Sequence, residues 1–298
     1  MSKIFGIDIS KWQKGYDYAA AKEAGVKFAI LRAGYATTKD TVFETHYKGC
    51  RANGIDVGAY WFSYATTPKE AKAEAKAFLK AIKGKKFEYP IYMDVESEVM
   101  KKVGEEKLND VVRAFAQVIE DAGYYFGVYT NVDWYEHILS GKTLNKSYDW
   151  WIASWSASAP KGVDFGLWQF GGEKNKLRTT KIAGVVTDQN YAYKDYPSIM
   201  KKNGLNGYEK EVTSIKPKEE PVKEEPIKVE PTVIYFKKYT GSGTSFVDAL
   251  KSIGASYTYL YRLRIAIANG IKIYPMVQNS KQNTKMLNLL KKGKLIKP

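Results

Sequence analysis

Four acidic residues sit where short, apolar, strand-like runs end: Asp8 in GIDIS, Asp94 and Glu96 in YMDVES, and Asp188 in VVTDQNY. Asp94 and Glu96 carry the most information. A strand repeats every two residues, so both side chains are expected on one face, roughly 7 Å apart at Cα. Two carboxylates on one face repel, and that repulsion, or partial burial, raises one pKa enough to keep a proton near neutral pH. Glycoside hydrolysis needs such a pair. One carboxylic acid protonates the leaving oxygen, and a second group attacks, activates water or stabilises an oxocarbenium-like transition state. The spacing alone leaves a metal site or a solvated strand end open, and a single Asp after a strand is also a common cap or turn residue.

Aromatic residues cluster near the same strand ends. Tyr60, Trp61 and Tyr64 follow the third strand, Tyr129 lies in VYTN, Trp155 ends WIASW, and Trp168 with Gln169 lies in LWQF. Ring faces pack on the apolar faces of pyranoses, while Gln and Tyr tips supply hydrogen bonds, so these seven are the expected substrate contacts. A barrel core claims a share of the same rings. No competing motif is present: there is no Walker loop, G-x-S-x-G or HExxH, and His46 and His137 lack ligand spacing. The single Cys50 offers neither a disulfide nor a zinc cluster. The chemistry asks for no metal and no organic cofactor.

The elements that must position these groups are legible as an alternation. Strand signals fall at residues 4–9, 28–33, 57–64, 89–96, 126–131, 149–155 and 166–170, with helical periodicity at 69–82 and 106–123 bounded by Pro68 and Gly123. Alternating β and α over about 200 residues predicts a parallel sheet closed as a TIM-like (β/α) barrel. The last strands lack intervening helices, so the barrel should be irregular. The fold class is α/β, with the barrel over 1–205. A Pro/Glu/Lys linker at 206–232 contains TSIKPKEEPVKEEPIKVEPT, too poor in apolar groups to form a core. A small, mainly helical C-terminal domain spans 233–298, with helices expected at 244–268 and 280–292, punctuated by Gly254 and Gly270.

The net charge of +15 is uneven: residues 1–205 carry 30 Lys and Arg against 24 Asp and Glu, whereas residues 233–298 carry 12 against 1. A basic tail suits nucleic acid, an anionic membrane surface or an anionic wall polymer. Tyr257, Tyr259 and Tyr261 beside basic residues would also suit nucleic acid, which is the less favoured partner. No apolar run approaches a membrane span, and MSKIFGIDIS lacks the pattern of a signal peptide, so synthesis in the cytoplasm is expected. Met200, just ahead of the linker, has the position of an internal start that would yield a free binding domain.

GIDIS-KWQ, LRAGY, GAYWFSYA, DVE, VYTN, WIASW, LWQF and TDQN, in that order, resemble the family 25 glycoside hydrolases over residues 4 to about 200. The resemblance implies an irregular β/α barrel and a muramidase that cleaves the β-1,4 bond between N-acetylmuramic acid and N-acetylglucosamine. It makes Glu96 the general acid, Asp94 its partner, and Asp8 and Asp188 supporting acids. Trp61 is a departure, since the family often has His there. Residues 241–298 resemble cell-wall-binding modules of phage and bacillal wall hydrolases, implying a phage endolysin that reaches the wall through a separate release factor, with peptidoglycan and an anionic wall polymer as partners. The alternative is a non-catalytic glycan-binding protein on the same barrel, against which the presence of all four acids argues.

Overall fold

The structure is a computed structural model that describes residues 3–139, 144, 147–209, 234–255, 262, 265–266, 268–271 and 280–297. It divides into two compact units, Met1–Glu211 and Val212–Pro298. In the first, the strands in chain order are β1 (Ile4–Ile9), β2 (Phe28–Tyr35), β3 (Thr38–Lys39), β4 (Asp56–Phe62), β5 (Ile91–Asp94), β6 (Phe126–Asn131), β7 (Asp149–Ala153), β8 (Leu167–Gly171), β9 (Lys181–Ile182), β10 (Val185–Val186) and β11 (Asp188–Ala192). Eight of them run in the order β1-β11-β8-β7-β6-β5-β4-β2, and β1 pairs with β2 to close the barrel. β3 extends β2 as a short antiparallel arm, and β9 with β10 forms a separate hairpin.

Helices α1 (Tyr18–Glu23), α2 (Phe43–Ala52), α3 (Pro68–Ile82), α4 (Glu98–Lys101), α5 (Glu105–Asp121) and α6 (Val132–His137) cross over between the parallel strands from β1 to β7. The crossover from β7 to its parallel neighbour β8 carries no helix. β11 runs antiparallel to both β1 and β8, and an antiparallel neighbour needs no crossover helix. This is the irregularity that the missing helical signals predicted.

Local chemistry sets the helices. Thr67 caps α3 in a reciprocal capping box with Glu70, and Pro68 occupies the first turn, where its missing N–H is harmless. The buried face of α3, including Ala75, Phe78 and Ile82, covers the sheet, with Phe78 5.2 Å from the Trp61 ring and 6.4 Å from Phe115 of α5. Strand alternation decides which rings go where. Along β4, Trp61 points outward into this helix layer, while Tyr60 points inward to an edge-on contact with Trp151 at 5.8 Å.

Several boundaries differ from the sequence expectation. The strand expected through Glu96 ends at Asp94, although the Val95 amide still donates to the Tyr129 carbonyl and keeps the segment beside β6. Asp188 opens an antiparallel strand instead of closing a parallel one; reversal of direction still brings it to the same rim. Asn206 and Tyr208, read as the start of the linker, belong to the barrel. Asn206 is fully buried in a left-handed turn, φ 55°, donates to the Tyr89 carbonyl and accepts from the Tyr125 amide. Met200 is fully buried in the helix Tyr196–Asn203.

In the second unit the helix Phe246–Ser252 is capped by Ser245 and stops before Gly254 at φ 68°, so the helix expected over 244–268 is broken there. A second helix spans Ser280–Lys291. Phe236, Phe246, Leu250, Ile265, Leu287 and Leu295 make a separate buried core. The two ends of the unit meet in an antiparallel bridge between Tyr235 and Ile296, and Asn269 clasps Ile296 by accepting from its amide and donating to its carbonyl. Tyr257, Tyr259, Tyr261 and residues 210–233 of the linker region lie outside the described residues. Among the described residues no helix is long and apolar enough to cross a membrane.

Candidate active site

The C-terminal ends of the parallel strands, where barrels of this type build their sites, surround a cleft of about 180 Å³. Asp8, Asp94, Glu96 and Asp188 all line it, so the four acids separated by up to 180 positions converge as expected. Asp8 and Asp188 are directly opposed in the β1–β11 register. Like charges in that arrangement are destabilising unless a proton is retained. Gly172 makes room for the arrangement, since a Cβ there would lie 1.9 Å from Asp188 Oδ1.

The acids differ in what surrounds them. Asp8 Oδ2 accepts from Gln169 Nε2 at 3.0 Å and Asn190 Nδ2 at 2.8 Å. These amides are oriented from behind: Trp151 Nε1 donates to Asn190 Oδ1, while Tyr129 OH and Trp155 Nε1 donate to Gln169 Oε1. Asp8 is raised to about 6, burial and the Glu96 charge pushing it up against the lowering effect of the two amides. Burial and then the Asp8 charge lift Asp188 to about 8. Asp94 lies well above the ordinary Asp range because it is buried beside Glu96 and Asp8, with Arg32 opposing. Its Oδ1 is buried without a hydrogen-bond partner among the described residues. Glu96 is also raised, by burial and then by Asp188. With Asp188 raised to about 8 and all four acids shifted upward, the cleft keeps a proton near neutrality that it can donate to a bound oxygen.

The expected substrate contacts divide into groups. Tyr60, Tyr129 and Gln169 line the cleft. Trp155, 39% exposed, reaches it through its bond to Gln169. Tyr64 is exposed beside the site, its ring 5.0 Å from Phe62. Trp61 and Trp168 are corrections: both are fully buried on the outer side of the sheet, their indole N–H groups donating to the carbonyls of Ala36 and Ser154. Each neighbours an inward residue, Tyr60 or Gln169, and the two-residue period sends it the other way.

Sequence reasoning missed Arg32, Phe62, Trp12, Gln13, Trp151 and Asn190, all but Asn190 lining the cleft. Trp12 is 73% exposed on the short turn Lys11–Gln13, whose Ser10 cap accepts from the Trp12 amide. Asn190 was findable, since it lies two positions from Asp188 on one strand. The polarity of Arg32 inside an apolar run was a second usable signal.

The model of the glycosyl hydrolases family 25 matches residues 7–177. The chain is 29% identical over 156 residues to an autolytic lysozyme of Clostridium acetobutylicum, covering 52% of this chain and 46% of that protein. It is 28% identical over 177 residues to an N,O-diacetylmuramidase of Arthroderma benhamiae, 56% of this chain and 74% of the relative. This chain therefore spans about half the length of the clostridial lysozyme. Among solved structures, the CTP1L endolysin superposes with a TM-score of 0.56 at 24% identity, covering 66% of this chain and 68% of that one. A family GH25 lysozyme from Aspergillus fumigatus gives 0.53 at 24%, covering 65% and 95%. Those likenesses concern the fold, and the family match spans Asp8, Asp94 and Glu96. A closed barrel with one antiparallel strand, an acid-lined cleft at its rim and a family match over more than half its length converge on one assignment: the chain belongs to the glycosyl hydrolases family 25.

Proposed function

We propose that the chain is a muramidase that hydrolyses the β-1,4 bond between N-acetylmuramic acid and N-acetylglucosamine in peptidoglycan, with Glu96 as general acid and Asp94 as assisting carboxylate. The observation that carries the reading is the convergence of four carboxyl groups, all pushed above their ordinary range, in one cleft. The electrostatics do not divide the pair: Asp94 is raised by burial, then by Glu96 and Asp8, with Arg32 the weaker opposing charge, and Glu96 is raised by burial and then by Asp188. The roles rest on the family pattern that DVE matches, in which Glu96 holds the proton for the leaving glycosidic oxygen. Asp94 faces the charge that develops at the anomeric carbon, as nucleophile, as base for water, or by orienting the 2-acetamido group as the attacking group. Asp8 and Asp188 support the pair.

Two experiments test this. Mass spectrometry of fragments released from purified walls should find new reducing muramic acid ends; reducing glucosamine ends instead would overturn the bond assignment. Following the first-formed anomer by NMR separates inversion from the two retaining routes.

We also propose that the C-terminal unit binds an anionic wall polymer and that the protein acts as a phage endolysin, made in the host cytoplasm and admitted to the wall by a separate factor. The support is the charge of residues 233–298, 12 Lys and Arg against 1 acid, and the likeness to the CTP1L endolysin. Binding of the full chain to walls should weaken steeply with salt and with removal of phosphate-bearing polymers; binding indifferent to both would overturn the ligand.

A further inference from the structure

We propose that the two joined ends of the C-terminal unit form the surface that grips the wall polymer, with Lys237, Lys294 and Lys297 on its phosphates and Tyr235 against the units between them; this rests on the wall-binding reading above. The stretches 234–237 and 294–297 run antiparallel through the Tyr235–Ile296 bridge. The Phe236 amide donates to the Leu295 carbonyl at 2.9 Å and the Lys297 amide to the Ile234 carbonyl at 2.8 Å. Phe236 and Leu295 turn into the core, 5% and 0% exposed. Alternation therefore sends Tyr235 and Lys237 to the opposite face, together with Ile296 and Lys294 from the other stretch. Lys297 Nζ lies 5.7 Å from the centre of the Phe236 ring. Lys238 runs beside Gly293, where an added Cβ would lie 3.5 Å from the Lys238 Cβ, and this brings it alongside Lys292. Five of the 12 basic residues of 233–298 thus come from opposite ends of the unit to one place.

No carboxylate answers this charge. Asp248, the one acid of residues 233–298, sits on the helix Phe246–Ser252 with Lys251 Nζ 3.5 Å away. Among the described residues none of the five lysines makes an ion pair. Like charges gathered without a counterion raise the energy of the folded unit, and a bound polyanion relieves it. Beside the lysines stand Ile234 and Tyr235, 61% and 50% exposed, the two exposed large apolar side chains of this unit among the described residues. A polymer of polyol or sugar units joined by phosphodiesters matches both features: its phosphates meet the ammonium groups and the C–H faces of its units meet the Tyr235 ring. The surface is also preformed. Asn269 accepts from the Ile296 amide and donates to its carbonyl, which fixes the stretch carrying Lys294 and Lys297, so little backbone has to be ordered on binding. The barrel acts on the wall, and the polyanion that the chain meets there is a wall polymer.

The test measures binding of the full chain to purified walls, intact and stripped of phosphate polymers by acid. Wild type should bind intact walls about tenfold more tightly or better. Lys237→Gln combined with Lys294→Gln should weaken that binding by about tenfold and make the fall of log affinity with log salt shallower by about one or more. Tyr235→Ser should weaken it by about fivefold with the salt slope unchanged, because the contact it loses is uncharged. Lys251→Gln combined with Lys285→Gln removes the same charge from the two helices and should cost less than about twofold. Every variant should release fragments from stripped walls at the wild-type rate, since none of these residues lies in the barrel. Joined-end variants that bind intact walls like wild type, or helix variants that lose as much as they do, overturn the surface and leave the wall-binding reading standing. Equal wild-type binding to intact and stripped walls overturns that reading as well. Binding to anionic phospholipid vesicles or DNA that is as tight as to walls, and as sensitive to the Lys237 and Lys294 substitutions, overturns the polymer as the occupant.

Discussion

Both ends of the barrel bury carboxylates, and they treat them in opposite ways. At the end formed by the strand starts, Asp149 Oδ1 accepts from the Trp150 amide at 2.9 Å and Lys194 Nζ at 3.1 Å, and Oδ2 from the hydroxyls of Tyr125 and Tyr196, both at 3.0 Å. Glu88 accepts from the Val57 amide at 3.0 Å and from Arg51 and Tyr208. Burial pushes Glu88 up, yet these three bonds and the Arg51 charge together bring it below its ordinary value. At the cleft end, desolvation is again the first cause, but Asp94 Oδ1 has no donor and the neighbours are other acids, so Asp8, Asp94, Glu96 and Asp188 all rise. Glu88 and Asp94 are each only 3% exposed, yet one is lowered and the other raised, because donor supply and neighbouring charge differ. The satisfied end holds the barrel together; the other gathers the acids of the candidate site.

Substitutions at the two ends should separate stability from activity. Glu96→Gln should reduce wall clearing by about 10²- to 10⁴-fold, the usual contribution of general acid catalysis, without lowering the melting temperature. Clearing at the wild-type rate would remove Glu96 from the mechanism. Asp149→Ala strands four donors and should lower unfolding stability by about 2–4 kcal/mol in denaturant titration, while the folded fraction clears walls normally. A neutral result would dissolve the contrast between the ends. Asp94→Asn should do the reverse, raising stability by about 1 kcal/mol at neutral pH as a like-charge contact is removed, with activity lost.

A further test lies in the pH dependence of stability. Asp8 is held at about 6 and Asp188 at about 8 against an ordinary 3.8, so the native barrel binds more protons than the unfolded chain between those values. Stability should therefore fall as pH rises from 3.8, through about 6 for Asp8 and about 8 for Asp188. The double variant Asp8→Asn, Asp188→Asn should flatten that decline in thermal melts across the same range. An unchanged slope would mean that the opposed pair does not retain its protons.

Much of this contrast was legible along the chain, and the reason is local. Short apolar runs rich in β-branched and aromatic residues located the strands, Pro68 and Gly123 bounded helices, and acids after apolar runs pointed to the cleft end. Asp149 was not recognisable as a structural acid, because the groups that satisfy it come from residues up to 47 positions away. The second unit was legible as basic and helical, but the clasp of Asn269 on Ile296 joins residues 27 positions apart and has no local signature.

The sequence by itself determined the alternation that makes a barrel, the place where alternation fails, and the set of four acids, because strand period, helix caps and loop composition are properties of neighbouring residues. Tertiary structure decided the rest. Closure placed Asp188 opposite Asp8, and the inward or outward phase of each strand sent Tyr60 and Gln169 to the cleft but Trp61 and Trp168 to the outer layer. Burial without partners gave Arg32 and Asp94 their open valences. Those outcomes depend on contacts between distant strands, and a one-residue change of phase would reverse them.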